Sequence, residues 1–378
     1  MTDRLTRLRE KMAEHDLDGF FVGAPAEDIF HTLAANRRYL SGFTGSMGWL
    51  LITQDVAFIA VDFRYFEQAE RECPEFTLFQ AVGGMDKWFA RLIGEAGLAG
   101  QRTDGRASTR IGFEANDLTV ATFQAMKKAV EAMPAADRPK LLAAPAIVQE
   151  LRVIKDANEI AALQRAVDVG DAAFNAVAEN IEPGWTENRI AWEIERHARE
   201  NGAEHLSFPT IVAAGPHGAM PHAMPRDHAV QEGDGVVIDM GVIVDGYCSD
   251  LTRTIAVGRP DPKFLEIYDI VLTAQRTAEE LVRTGMTGEE AHMLAHNVIA
   301  EAGYGENFGH GLGHGVGLLV HEGPRLARNS TDVLVDGMVA TIEPGIYITG
   351  WGGVRIEDQV VFEGGRARIM SGAPKLMV

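Results

Sequence analysis

At 378 residues, with 46% apolar and 24% charged residues, the chain is long enough for two domains with ordinary cores, and nothing in it requires disulfides. Its formal net charge of −19 argues against a nucleic-acid partner, since phosphate binding needs a basic face. Two lone cysteines (Cys73 and Cys248), no apolar leader and no run of about 18 apolar residues point to a reducing, cytoplasmic protein that does not span a membrane.

A first helix is expected around Leu5, Leu8 and Met12, then apolar runs at 17–22, 48–53 and 56–62. Helical patterns over 65–73 and 87–96 alternate with these runs, which is the order of a compact α/β unit. Pro134, Pro139 and Pro145 punctuate an alanine-rich stretch and place a domain junction near residue 150. Domains of 1–150 and 151–378 follow. The second opens with helices, the first carrying Ile160, Leu163, Val167, Phe174 and Val177 on one face. Thr186 can cap the next, with Ile190 and Ile194 inward, and a strand-rich region runs from 208 to 254. A further helix after Pro262 has Phe264, Ile267, Val271, Ala274, Ala278 and Leu281 on its buried stripe. Another starts at Thr287, with Glu290 completing a capping box and Gly303 past its end. Strands then return. The order helices then strands occurs twice, which suggests two similar halves with a site between them.

The densest chemistry begins at VVIDMGVIVDGYCSD, residues 236–250. Asp245-Gly246 favours a two-residue type I′ turn that pairs Val244 with Tyr247. Counting outward pairs Gly241 with Asp250, so Asp239 lies on the same face, diagonal to Asp250 at roughly 7–8 Å between backbones. Two ionised carboxylates that close repel unless a cation lies between them, and a two-metal centre about 3.5–4 Å across fits the spacing. Taken alone, the pair reads equally well as two solvated acids near a turn. Downstream, GHGLGHGVGLLVHE (residues 309–322) places His310, His314 and His321 among five glycines, in neither a dinucleotide nor a Walker register. Glu343 and Glu357 each follow an isoleucine in an apolar strand pattern and could be solvated or ligating, with Pro344 marking a strand end. His292 and His296 have zinc-compatible i,i+4 spacing. No Glu follows the first His, and Ala291, Leu294 and Val298 are needed for the core, so this pair reads as structural or exposed.

The order Asp239, Asp250, GHG…VHE, IEPG, RIED resembles the metallopeptidase superfamily of methionine aminopeptidase, prolidase and aminopeptidase P. The likeness covers the whole second segment, and NRRYLSGFTGS at 36–46 resembles the Xaa-Pro branch. The resemblance implies an α/β (α+β) chain: a small creatinase-like N-terminal α/β domain, then a pseudo-two-fold pita-bread domain. It implies metal ligands Asp239, Asp250, His314, Glu343 and Glu357, with Asp250 and Glu357 bridging two divalent ions. The hard ligand set favours Mn²⁺, with Co²⁺ or Zn²⁺ as alternatives. His222 and His321 take catalytic positions, Glu343 doubles as proton shuttle, and His310 and Arg355 contact substrate. The implied activity is hydrolysis of the Xaa-Pro bond at the N-terminus of peptides with proline second, by an Xaa-Pro aminopeptidase or, alternatively, an Xaa-Pro dipeptidase (prolidase). A homodimer is also implied. A different class, an inactive pita-bread binding protein, would be expected to have lost ligands.

Overall fold

The structure, a computed structural model, describes residues 2–24, 32–100, 108–116 and 118–375. It divides into two compact units, Met1–Arg152 and Val153–Val378.

The first unit contains α1 (Thr2–Glu14), β1 (Gly19–Ala24), α2 (Thr32–Ser41), β2 (Gly48–Thr53), β3 (Ala57–Val61), α3 (Phe66–Glu72), β4 (Thr77–Gln80), α4 (Met85–Glu95), β5 (Arg110–Glu114), α5 (Val120–Glu131), β6 (Lys140–Ala144) and α6 (Ile147–Val153). Its strands form one mixed sheet in the order β4-β3-β2-β1-β5-β6. The inner strands are nearly continuous apolar runs, and β3 is buried along its whole length, as expected of a sheet covered on both faces. Trp88, Phe89 and Leu92 of α4 and Met126 and Ala129 of α5 close one face over Phe21, Leu51 and Phe58. The two units divide between Arg152 and Val153, near residue 150, but the proline-punctuated stretch before that point is not a loose link. Lys140–Ala144 pairs in parallel with β5 as the sixth strand, since Pro139 and Pro145 flank the strand and leave its ladder N–H groups intact.

The second unit repeats one plan. Helices α7 (Ala157–Ala178) and α8 (Glu187–Glu200) precede β7 (His205–Leu206), β8 (Ile211–Ala214), β9 (Gly235–Met240), β10 (Val242–Val244), β11 (Tyr247–Cys248) and β12 (Leu251–Ala256). Helices α9 (Pro262–Leu281) and α10 (Gly288–Glu301) precede β13 (Gly313–Gly315), β14 (Glu322–Leu326), β15 (Val339–Ile342), β16 (Gly345–Ile348), β17 (Gly352–Arg355), β18 (Asp358–Glu363) and β19 (Arg366–Ile369). In the first half, Phe174, Ile190 and Ile194 pack on Val212, Ile238 and Met240. In the second, Ile267, Val271, Ala278 and Ala295 pack on Ala340, Ile342 and Val360.

Local signals explain the helix limits. Asp156 with Glu159, and Thr287 with Glu290, form complete capping boxes; Asp261 caps α9 with Pro262 at its start; Gly303 takes φ +89° just past α10. Two stripe assignments differ from expectation. Leu281, the last residue of α9, is 45% exposed, and Val282 is buried in its place. On α10 the buried line is Ala291, His292, Ala295 and Ile299, while Leu294 and Val298 are half-buried, so His292 belongs to the core rather than beside it.

The seam between the halves is polar and buried. Glu357 N donates to Thr252 O at 3.0 Å, and Arg355 N to Thr254 Oγ1 at 3.0 Å. Arg253, fully buried, reaches Asp358 Oδ1 at 2.6 Å and also bonds the Glu357 carbonyl. This seam ties β12 to β17 and β18 directly behind the cavity.

Candidate active site

The hairpin behaves as its turn requires. Asp245 and Gly246 take φ +52° and +79°, the left-handed pair of a type I′ turn, and Val244 pairs with Tyr247. The count continues without a slip to Leu251↔Met240 and Thr252↔Asp239. Asp239 and Asp250 therefore face the same way, into a cavity of about 690 Å³.

The site residues implied by the resemblance all line that cavity: Asp239, Asp250, His314, Glu343 and Glu357, together with His222, His310, His321 and Arg355. Both halves supply them, from strands (Asp239, His314, Arg355), from positions flanking strands (Asp250, His321, Glu343, Glu357) and from loops (His222, His310). His314 Nε2 lies 3.6 Å from Asp250 Oδ2 and 3.3 Å from Glu343 Oε1. Ligand atoms of Asp250, His314 and Glu357 all lie within 4.8 Å of one another. His314 Nδ1 donates to Gly315 O at 3.1 Å, so its other nitrogen presents a lone pair to the carboxylates, the tautomer a metal ligand needs.

Burial, reinforced by the neighbouring Glu357, Asp239 and Glu343, holds the Asp250 carboxyl well above the usual range. Glu357 is raised likewise, by burial first and then by Glu343 and Asp239, and burial raises Glu343 as well. Asp239 Oδ1 and Glu357 Oε1 are buried without a hydrogen-bond partner. Four crowded carboxylates with orphaned buried oxygens and one lone-pair imidazole suit hard divalent cations, so the donor set fits a metal centre.

Two threonines hold this set. Thr252 Oγ1 donates to Glu357 Oε2 at 2.7 Å and accepts from Arg355 Nε at 3.0 Å. Thr341 Oγ1 donates to Glu343 Oε1 at 3.0 Å and accepts from His314 N at 3.1 Å. Arg355 is buried and committed to the protein: Nη2 bonds Asp239 Oδ2 and Nη1 donates to the Tyr347 hydroxyl at 2.7 Å. Burial opposes its charge, but Tyr347, Asp239 and Glu343 outweigh that and keep it charged. His310 Nδ1 donates to Gly311 O at 2.7 Å, so its Nε2 accepts from Tyr347 at 3.0 Å, and desolvation favours that neutral ring. The His321 ring packs edge-on to His314 at 4.3 Å, and partial desolvation, then the His314 ring, lowers its pKa. His292 and His296 lie outside the cavity: both nitrogens of His292 lack partners, and His296 faces Arg328 at 2.6 Å.

Sequence reasoning missed Thr252, Thr341, Tyr347 and Arg325. Thr252 and Thr254 alternate with Asp250 as buried polar residues on one strand face, a period-two signal that was readable. Arg325 lines the cavity, and its guanidinium makes no ion pair among the described residues. Its sequence neighbours give no sign of this.

The family model of metallopeptidase family M24 matches residues 161–363, and that of the creatinase/prolidase N-terminal domain matches residues 4–154. A curated relative, the Xaa-Pro dipeptidase of Pyrococcus horikoshii, is 36% identical over 361 residues, 96% of this chain and 94% of the relative. The solved Xaa-Pro dipeptidase from Bacillus anthracis superposes with TM-score 0.89 at 37% identity, covering 100% of this chain and 99% of that one. The X-Pro aminopeptidase from Thermotoga maritima MSB8 does so with TM-score 0.86 at 33% identity, covering 99% of each chain.

Proposed function

Since the chain belongs to metallopeptidase family M24 and carries a creatinase/prolidase N-terminal domain, we propose that it is a metal-dependent Xaa-Pro dipeptidase. As a member of the family it is a peptidase, a hydrolase that works with divalent metal. The observation that carries the metal reading is the convergence of four carboxylates and one lone-pair imidazole in one cavity. Asp239, Asp250, His314, Glu343 and Glu357 would hold the ions, with Asp250 and Glu357, each buried among the other carboxylates, shared between two. We expect Mn²⁺, and a homodimer in the cytoplasm.

Bound divalent ions supply Lewis-acid polarisation of the scissile carbonyl and acidify the attacking water. The chain's own residues do the rest. Glu343 Oε1 is occupied by Thr341, which leaves Oε2 to take a proton from the nucleophile and deliver it to the proline nitrogen. His222 and His321 flank the cluster and can donate to the developing oxyanion. The Arg355–Tyr347–His310 chain keeps His310 neutral and fixed at the wall.

The preference for a dipeptide over a longer peptide rests on Arg325. A dipeptide carries its free carboxylate one residue beyond the scissile bond, and Arg325, a cavity-lining arginine with no ion pair among the described residues, is its natural counterion. The relatives named dipeptidase support the same choice over the aminopeptidase, which the sequence alone had favoured. The test is turnover of Xaa-Pro against a matched Xaa-Pro-Yaa by the Mn²⁺-loaded protein. Cleavage of the dipeptide alone is expected. Arg325→Ala is expected to raise KM for the dipeptide about 10-fold or more, the loss of a charge-assisted hydrogen bond. Equal turnover of both peptides would give the aminopeptidase instead.

A further inference from the structure

Glu187 opens helix α8 and is fully buried outside the cavity. Its carboxylate accepts from Ala214 N at 2.9 Å, from His217 Nδ1 at 2.8 and 3.0 Å, and from Arg226 N at 3.2 Å, with Arg226 Nε 3.5 Å away. Ala214 and Arg226 are the two ends of one segment, and a single side chain therefore closes it. Between those ends lie Pro221, His222 and Met224, all on the cavity wall.

The opposite side of the segment rests on β17 backbone to backbone. A Cβ on Gly353 would meet Gly218 O at 2.1 Å, and one on Gly352 would meet Gly215 O at 2.9 Å. Nothing bulkier than glycine fits that seam. Arg355, at the end of β17, also reaches Pro221 O at 3.5 Å.

His222 makes no side-chain hydrogen bond to another described residue, so the backbone that carries it sets its position. A segment that needed only to be closed could be closed by apolar packing. A buried carboxylate is a costly closure, tolerable only while all its donors stay in place, and it fixes direction as well as proximity.

We propose that Glu187 is a positioning residue for peptide hydrolysis: it clamps both arms of the 214–226 segment and thereby fixes His222 over the carboxylate cluster. The proposal rests on the reading of His222 given above.

The test compares Glu187→Gln, His222→Ala and the double variant as metal-loaded full-length protein acting on an Xaa-Pro dipeptide. Glu187→Gln is expected to lower kcat about 10- to 100-fold, the usual penalty for a misplaced group, with KM and bound metal nearly unchanged. In the His222→Ala background the same change should have little further effect. Amide exchange should accelerate at Ala214 and Arg226 but not in β9. If Glu187→Gln folds poorly, His217→Ala removes one donor and should show the same split at smaller size. An equal loss in the His222→Ala background, an even loss of protection through the unit, or unchanged kcat beside a loosened segment would each overturn the proposal. If the parent protein cleaves no Xaa-Pro peptide, the functional reading fails, and the exchange arm alone decides the clamp: acceleration confined to the segment supports it, even acceleration overturns it.

Discussion

Asp250 is the residue most crowded by like charge. It is buried, faces three other carboxylates and lies near one guanidinium, Arg355. Asp250→Asn keeps its size but removes the charge that would attract the ions. Metal content measured on the purified variant should fall, and activity should drop by more than about 100-fold, beyond the effect of losing an outer-shell partner. A variant that keeps both would sink the site assignment. Asp171, remote from the cavity, makes a pH prediction. It accepts from Gly372 N, and burial pushes its carboxyl up from 3.8 to about 6. Because the folded pKa is raised, the stabilising contribution is full below pH 3.8 and is lost as pH rises through about 6. At neutral pH the ionised group destabilises by about 1–3 kcal/mol. Asp171→Asn should therefore melt higher than the parent at pH 7.5, with the gap closing towards pH 4. A constant gap would show that the charge is not responsible.

At the scale of elements, the best-resolved sequence signals were those written within one turn of chain. Thr287 and Glu290 predicted the start of α10, and the structure closes both bonds, Glu290 N to Thr287 Oγ1 at 3.2 Å and Thr287 N to Glu290 Oε2 at 2.7 Å. Thr287→Ala should lower stability by about 1 kcal/mol in urea unfolding without changing kcat. The hairpin was equally legible, because a two-residue turn sets the register of both strands. What the local sequence left open depends on distant partners. Glu343 and Glu357 look like solvated strand acids until the second half of the unit folds over Asp239 and Asp250. The stretch around Pro139 looked like a linker because the parallel pairing that makes it a strand comes from β5. Arg355 lines the cavity, and its partners Asp239, Thr252 and Tyr347 come from three separate strands or strand ends, so no local pattern announces how it is held.

At the scale of the whole molecule, the cavity draws on both halves of the second unit. Asp239 and Asp250 come from the first, and His314, Glu343 and Glu357 from the second. Ions bound there would tie the halves together, so chelation should lower the melting temperature of this unit. Saturation at about 100 times Kd would restore roughly 2.7 kcal/mol. The first unit has its own core, and all described residues that line the cavity belong to the second, so calorimetry with and without chelator should move only part of the unfolding enthalpy. A melt indifferent to chelator and to added Mn²⁺ would count against ions at this position. Among the described residues no helix is long and apolar enough to cross a membrane.

The Asp245–Gly246 turn lies away from every catalytic atom, yet it counts for the whole centre. Side chains alternate along β9 and β12, so the number of residues in the turn fixes the parity of everything beyond it. Substitutions that tolerate two left-handed residues leave the count untouched. One inserted residue would either bulge out or turn a carboxylate away from the cavity. The length of this turn is thus under the same constraint as a residue in the core, and a relative that differs there by a single position should have altered its chemistry.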